Sequence, residues 1–106
     1  MAIEKYKLQV MPRAVVDLEN IYEYISNELS APAAAHILMQ KVEAAFMRLR
    51  DFPESCPMCQ DEILQQKGYR KLVVNNYIAL YKVDNYTKAI TVMRVVHGRQ
   101  DYSGFV

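Results

Sequence analysis

The sequence is poor in glycine and proline, has no tryptophan and contains no long apolar run. Three Gly and four Pro in 106 residues, beside 52% hydrophobic and 24% charged residues, exclude a collagen-like or disordered chain. No apolar stretch approaches the roughly 20 residues that span a bilayer, and the N-terminus alternates polar with apolar residues where a signal peptide would be continuously apolar. We therefore expect a single cytoplasmic domain over residues 1–106 that has no membrane partner.

Charge is distributed unevenly along the chain, although the formal net charge is only +1. Residues 1–66 hold six Lys or Arg and ten Asp or Glu, a net charge of −4, whereas residues 67–106 hold seven and two, a net charge of +5. A basic segment of this kind is typical of a surface that faces phosphates or an acidic protein partner. A solvated strand face with no partner has the same composition, so charge alone leaves both interpretations open.

Hydrophobic periodicity divides the chain into a short strand, two helices and three further strands. Tyr6, Leu8 and Val10 alternate with polar neighbours, which predicts a half-buried strand over 5–10. Apolar residues then recur at intervals of three and four, and Pro12 suits the first turn of a helix. The predicted elements that follow are helices over 12–29 and 32–51, a loop over 52–67, and strands over 69–74, 77–84 and 89–97.

This order of elements predicts an α+β domain. Turns of two to four residues join the last three strands, so these strands form an antiparallel meander. We expect the two helices to form a hairpin packed on one face of a four-stranded antiparallel sheet. Core-facing or core-edge positions, where a ring packs and its hydroxyl reaches the rim, are predicted for Tyr6, Tyr22, Tyr77 and Tyr81.

The segment Cys56-Pro57-Met58-Cys59 has the spacing of a zinc-binding or redox-active pair. Zinc requires about four ligands, yet there is no second such pair, and neither His36 nor His97 falls at a zinc-ribbon spacing. A redox-active pair belongs at a helix N-terminus after a core strand, where the thiol pKa is lowered. The predicted context is a loop after a helix. We therefore expect incidental loop cysteines, nearly no effect of their exchange for Ser, no metal and no cofactor.

Basic side chains concentrate on the predicted meander. Arg70 and Lys71 point to opposite sides of one strand, whereas Arg94, His97 and Arg99 lie on or just beyond the last strand. Arg presents a planar fork to phosphate or carboxylate, and His titrates near neutrality. If these side chains converge at one end or face of the sheet, they can bind an anionic backbone and move a proton. The alternative is a solvated basic face together with an ion pair between Arg99 and Asp101.

Specific residues also occur in a characteristic order along nearly the whole chain. The segments are Asp17–Ile25, Pro32–Ala34, Phe52–Pro53, Gly68–Leu72, Asn76–Asp84 and Arg94–Asp101. Together they resemble the RelE/ParE superfamily of bacterial toxins from type II toxin–antitoxin pairs. The resemblance implies a toxin that arrests growth, and a cognate antitoxin whose C-terminal segment wraps the toxin in a hetero-oligomer.

Members of that superfamily act on two different targets. RelE-like members cut messenger RNA on the ribosome, and ParE-like members poison DNA gyrase. Lys71 and Arg99 match basic residues of the RelE-like nucleases, but Ile78 replaces an arginine of the third strand and Tyr69 replaces a lysine. Because loss of one preorganised charged donor costs about 10²–10³ in rate, the resemblance favours a ParE-like protein.

The resemblance assigns candidate residues to each alternative. For a gyrase inhibitor, the target-binding candidates are Arg70, Lys71, Arg94 and Arg99. For a ribosome-dependent, metal-independent mRNA endoribonuclease, the catalytic candidates are His97, Arg99, Lys71 and Tyr102. The partner is then DNA gyrase in the first case and the ribosome with its messenger RNA in the second.

Overall fold

A computed structural model of the chain describes residues 5–99, in which two long helices cover one face of a four-stranded sheet. Pro12 and Pro32 occupy the first turns of these helices, where the absent amide hydrogen is not needed. The second helix and the last three strands have the predicted bounds. The elements in chain order are β1 (Lys7–Val10), α1 (Pro12–Glu23), α2 (Pro32–Asp51), α3 (Glu62–Gln66), β2 (Tyr69–Val74), β3 (Tyr77–Asp84) and β4 (Ala89–His97).

The first helix changes geometry before it ends. Tyr24–Glu28 continue α1 as a π-helical turn, and Ser30 then reverses the chain with a φ of 51°. The amide of Ala31 donates to the carbonyl of Ile25 at 3.0 Å across this widened turn. The prediction of an α-helix through residue 29 is therefore wrong for its last turn, because one turn of apolar spacing does not distinguish α from π geometry.

The sheet has the strand order β1-β4-β3-β2. The antiparallel meander of β2, β3 and β4 is confirmed. β1, however, pairs parallel with β4, with Leu8 beside Ile90, so the prediction of a fully antiparallel sheet is wrong for this strand. Alternation of apolar residues indicates which side chains of a strand face the core, but it does not indicate whether the strand runs parallel or antiparallel to its neighbour. The long connection through both helices allows parallel pairing.

The main core lies between the helices and one face of the sheet, as predicted. Leu38, Val42 and Phe46 of α2 pack against side chains of the sheet that include Tyr81 and Val92. All of these residues are at most 5% exposed. With Ala35 and Leu49, the buried residues of α2 recur at intervals of three and four, so one stripe of this helix is buried.

The opposite face of the sheet is partly covered by the segment that we predicted as a loop. This segment contains α3, whose N-cap Asp61 accepts the amide of Leu64 at 3.1 Å. Leu64 and Cys59 form a second buried cluster with strand residues such as Leu80 and Val96. The segment over 52–67 therefore contributes to the core instead of only connecting α2 to β2.

The predicted tyrosine positions differ in their burial. Tyr81 is fully buried, and its hydroxyl donates to the carbonyl of Pro53 at 3.0 Å; burial raises its pKa. Tyr6 and Tyr77 are partly buried against the main core. Tyr22, by contrast, is 38% exposed, so the prediction of a core position is wrong for this ring.

Among residues 5–99, no helix combines the length and the apolar character that crossing a membrane requires.

Candidate target-binding surface

The sequence-predicted binding residues of the meander lie in three places, so they do not form one cluster. Lys71 and Arg94 share a row across the sheet, because each is in register with Leu80 of β3. Arg70 faces the other side of the sheet, since neighbouring residues of a strand alternate. His97 lies at the level where β3 begins, roughly 10 Å along the strand direction from that row.

Arg94 forms a doubly hydrogen-bonded ion pair between β4 and α1. Its Nε and Nη2 donate to the two carboxylate oxygens of Asp17 on α1 at 2.7 and 3.0 Å. One of those oxygens also accepts the amide of Val95 at 2.9 Å. β1 pairs with residues 89–92 of β4, and Asp17 accepts a main-chain bond from the same strand beyond that paired part. The pairing raises the pKa of Arg94 and ties its guanidinium to the fold.

Arg70 forms hydrogen bonds and an ion pair with the loop that follows α2. Its Nη1 donates to the carbonyl of Cys56 at 2.7 Å, and its Nη2 pairs with a carboxylate oxygen of Glu54 at 3.2 Å. The other oxygen of Glu54 accepts from the side-chain amide of Asn85 at 3.1 Å. The sequence-predicted binding residue Arg70 thus joins β2, the loop after α2 and the β3–β4 turn.

His97 and Arg99 lie together at the end of β4. The Nδ1 of His97 accepts the amide of Arg99 at 3.1 Å, and its ring lies edge-on to Tyr77 with centroids 5.4 Å apart. Beside them a shallow depression of about 190 Å³ is lined partly by Val73 and Ile78. Arg99 is exposed there. Tyr102, the remaining nuclease candidate, lies outside the described residues.

Ile78 has an apolar environment at the position where the resemblance calls for an arginine. It is 8% exposed and belongs to the second buried cluster with Leu80 and Val96. Tyr69, the other departure from the nuclease pattern, is 3% exposed, and burial raises its pKa. Two of the nuclease positions therefore hold buried side chains that carry no charge near neutral pH.

The cysteine pair lies in the cover of the second sheet face. Both thiols are free; Cys56 is half-buried and Cys59 is 1% exposed. Burial raises the pKa of the Cys59 thiol despite the opposing charge of Lys71, which disfavours a reactive thiolate. Within residues 5–99 no group of three or more His, Cys, Asp or Glu is arranged to hold a metal ion.

The burial of Cys59 changes what we expect from its exchange for Ser. Cys59→Ser places a hydroxyl among Leu64, Tyr69 and Leu80, and we expect it to lower the free energy of unfolding by about 1–2 kcal/mol. Cys56→Ser, at a half-buried position, should change it by less than about 0.5 kcal/mol. Urea unfolding of the two single variants measures the difference, and equal midpoints would refute a core role for Cys59.

An apolar groove on the helices is a feature that our sequence analysis missed. Val15, Leu18, Tyr22 and Met39 line an open depression of about 550 Å³ between α1 and α2. Its rim is acidic, with Glu19 and Glu23. Exposed apolar residues beside a charged rim are typical of protein interaction sites.

A signal for this groove is present in the sequence of α1. Apolar residues at 14, 15, 16, 18, 21 and 22 cover far more than the single stripe, roughly 100° wide, that packing on a core requires. Ala14 alone among them is fully buried, whereas Val15 is 41% and Val16 48% exposed. The excess apolar surface on α1 indicates a second face that the fold leaves open.

Comparisons with known proteins agree with this architecture. The model of the family described as ParE toxin of type II toxin-antitoxin system, parDE, matches residues 8–102. The chromosomal ParDE system from P. aeruginosa is similar in structure, with 21% identity, a TM-score of 0.70, and coverage of 88% of this chain and 96% of that one. The toxin-antitoxin complex RelBE2 from Mycobacterium tuberculosis has 22% identity, a TM-score of 0.62, and coverage of 88% and 98%. A search of curated proteins finds no match.

At 21% and 22% sequence identity, the two similar structures support the fold of this chain and nothing about its function. The family match extends from the second residue of β1 to beyond the end of β4, and thus covers all the helices and strands described above except Lys7. It also agrees with the resemblance that the order of motifs predicts. The chain therefore belongs to the ParE toxin family of type II toxin–antitoxin systems.

Proposed function

We propose that this toxin arrests growth by binding DNA gyrase and that a cognate antitoxin neutralises it. The observation that carries the proposal is the membership of the ParE family, together with the buried, uncharged Ile78 in place of a nuclease arginine. Gyrase acts through a covalent complex with DNA, so an inhibitor needs only to bind and stabilise one state of that complex. Such an inhibitor requires no general base of its own.

The geometry of the basic residues supports binding over cleavage. RNA cleavage by an internal hydroxyl requires charged donors and an acid–base pair held around one phosphate. Here Arg94 is engaged by Asp17 and Arg70 by Glu54, which leaves neither charge available without breaking a structural bond. Lys71 and Arg99 remain as the target-binding candidates. Lys71 lies on β2, whereas Arg99 lies two residues beyond the end of β4.

Paired assays with the purified toxin test the target. We expect linear DNA to accumulate when toxin is added to gyrase and plasmid, while messenger RNA on translating ribosomes stays intact. Messenger cleavage that is abolished by Arg99→Ala or His97→Ala, with gyrase unaffected, would overturn the proposal.

Single variants connect the basic surface to gyrase. Lys71→Gln and Arg99→Gln should each reduce inhibition about tenfold, because each removes one charge from a polar contact with the target. Lys41→Gln, an exposed change on the outer side of α2, is the matched control and should not alter inhibition. Circular dichroism of all three variants verifies that folding is unchanged.

The groove on the helices supports the second half of the proposal. Its apolar floor, with Val15 and Tyr22 exposed, fits the apolar side of an antitoxin segment that orders on binding. Glu19 and Glu23 at the rim favour Lys or Arg at the flanks of that segment. We therefore assign this groove to the antitoxin and the sheet to the target.

A further inference from the structure

A second basic site lies at the end of the sheet away from His97 and Arg99. Lys5, Lys7, Arg50 and Lys88 surround an open cleft of about 550 Å³ between β1, the end of α2 and the β3–β4 turn. We call these four residues the basic cleft. β4 begins beside Lys7 and ends at His97, so the two regions are roughly 25 Å apart.

The cleft has a strong excess of positive charge. Within the described part of the chain, no acidic side chain lines it. Asp51 approaches from its edge and pairs loosely with Lys5, with an N···O distance of 3.8 Å and both side chains well exposed. Exposed pairs of this kind contribute little, so the cleft keeps most of its positive potential.

Main-chain bonds hold these basic residues in place. The amide of Tyr6 donates to the carbonyl of Arg50, and Nε of Arg50 donates back to the carbonyl of Tyr6, both at 3.0 Å. The amide of Lys7 donates to the carbonyl of Lys88 at 2.8 Å. The backbones of three separate parts of the chain are thereby fixed around one cleft, which lowers the entropy cost of binding an anion there.

Lys88 occupies a backbone conformation that normally belongs to glycine. Its φ is 57°, at the end of the turn into β4, where a residue without a β-carbon avoids strain. Its ammonium lies 5.4 Å from the centroid of the Tyr6 ring, and the Tyr6 hydroxyl donates to Asn85 at 2.6 Å. A lysine kept on strained backbone and oriented by an aromatic ring points to a use for its charge.

The same turn presents an aromatic ring to solvent. Tyr86 is 98% exposed, although its backbone is well ordered by hydrogen bonds. A carboxylate oxygen of Asp84 accepts the amides of Tyr86 and Thr87 at 2.9 and 3.1 Å, and these bonds lower the pKa of Asp84. An exposed ring on a turn held by these bonds, two residues before Lys88, is suited to stacking on a nucleobase.

We propose that the basic cleft and Tyr86 bind the phosphodiester backbone of a nucleic acid. Lysine predominates in the cleft, and lysine is depleted in the centres of protein–protein interfaces but common at phosphate contacts. The apolar lining is limited to Leu8 and Met47, which offers little to a folded protein partner. The proposal needs neither gyrase nor antitoxin, so its outcome is separate from that of the proposed function.

Fluorescence anisotropy of short labelled nucleic acids with the purified full-length toxin tests the proposal. Lys7→Gln/Lys88→Gln should weaken binding of a DNA duplex about tenfold or more and reduce the slope of log K against log salt by about 2. The matched double variant Lys41→Gln/Lys67→Gln removes the same charge from exposed positions elsewhere and should change neither quantity. Equal losses in the two double variants would overturn the proposal.

Further arms separate the source of the phosphates and the role of folding. If the toxin binds a single-stranded RNA more tightly than the DNA duplex and loses this advantage in Tyr86→Ala, the ligand of the phosphodiester site is RNA. If the toxin binds the DNA duplex more tightly, the ligand is DNA. Tighter binding of a polyglutamate peptide than of either nucleic acid would overturn it in favour of an acidic protein. Lys88→Gly should raise the thermal unfolding midpoint by relieving strain and still weaken binding; unchanged binding would contradict the assignment.

Discussion

Replacement of Asp17 by alanine is expected to lower the free energy of unfolding by about 3–5 kcal/mol. The side chains of Asp17 and Arg94 are only 12% and 14% exposed, so the change leaves a guanidinium with little access to water and without its carboxylate. It also removes the acceptor of the Val95 amide at the edge of β4. Urea unfolding followed by far-ultraviolet circular dichroism measures the loss.

Two further variants make this prediction specific to the ion pair. Glu19→Ala, an exposed change two residues along the same helix, should alter the free energy of unfolding by less than about 0.5 kcal/mol. Asp17→Ala/Arg94→Leu should be more stable than Asp17→Ala, because the largely buried guanidinium is removed together with the carboxylate that it pairs with. A double variant less stable than the single one, or an Asp17→Ala loss no larger than that of Glu19→Ala, would contradict the structural role.

This pair determines how toxicity data on Arg94 are interpreted. If Arg94→Ala abolishes growth arrest, loss of folded protein explains the result without any contact to the target. Arg99→Ala removes an exposed side chain at the end of β4 and leaves the Asp17 bonds intact. Toxicity that is lost in Arg99→Ala at unchanged stability therefore reports on target binding, whereas toxicity lost in Arg94→Ala does not.

The sequence predicts local features of this fold well and non-local ones poorly. The bounds of β2, β3 and β4 follow from alternation and from the turns between them, which involve only residues near in sequence. The parallel pairing of Leu8 with Ile90 joins residues far apart, and nothing in the pattern of either strand specifies it. The π-helical turn at Tyr24–Glu28 was missed for a related reason, since it depends on how the chain must reverse before α2.

The same distinction applies to the candidate site. Sequence reasoning identified the basic residues Arg70 and Arg94 but not Glu54 and Asp17, the carboxylates that engage them. An ion pair between α1 and β4 spans most of the chain, and only the assembled fold brings the two groups together. The basic cleft was missed because Lys7, Arg50 and Lys88 come from three distant segments, two of which lie in the net acidic part of the sequence.

The apolar groove of α1 and α2 leads to the prediction with the largest expected effect on function. Val15 lines the groove and is 41% exposed, whereas its neighbour Val16 is 48% exposed and is not part of the lining. Lysine at either position adds one charge on the surface of α1 at small cost to folding. Only at position 15 does that charge lie where the apolar side of the antitoxin segment would be buried.

Val15→Lys is therefore expected to weaken antitoxin binding by about 3 kcal/mol, or roughly a hundredfold in Kd, because a charge enters an apolar interface and repels basic flanks. Val16→Lys should bind like the unchanged toxin. Calorimetric titration with the antitoxin measures the Kd of both variants. In cells that produce each variant together with the antitoxin, growth arrest should persist for Val15→Lys and be relieved for Val16→Lys. Both variants alone should still inhibit gyrase, since the groove lies on the helices and the target-binding candidates lie on the sheet. Equal rescue of the two variants with equal Kd would place the antitoxin on another surface.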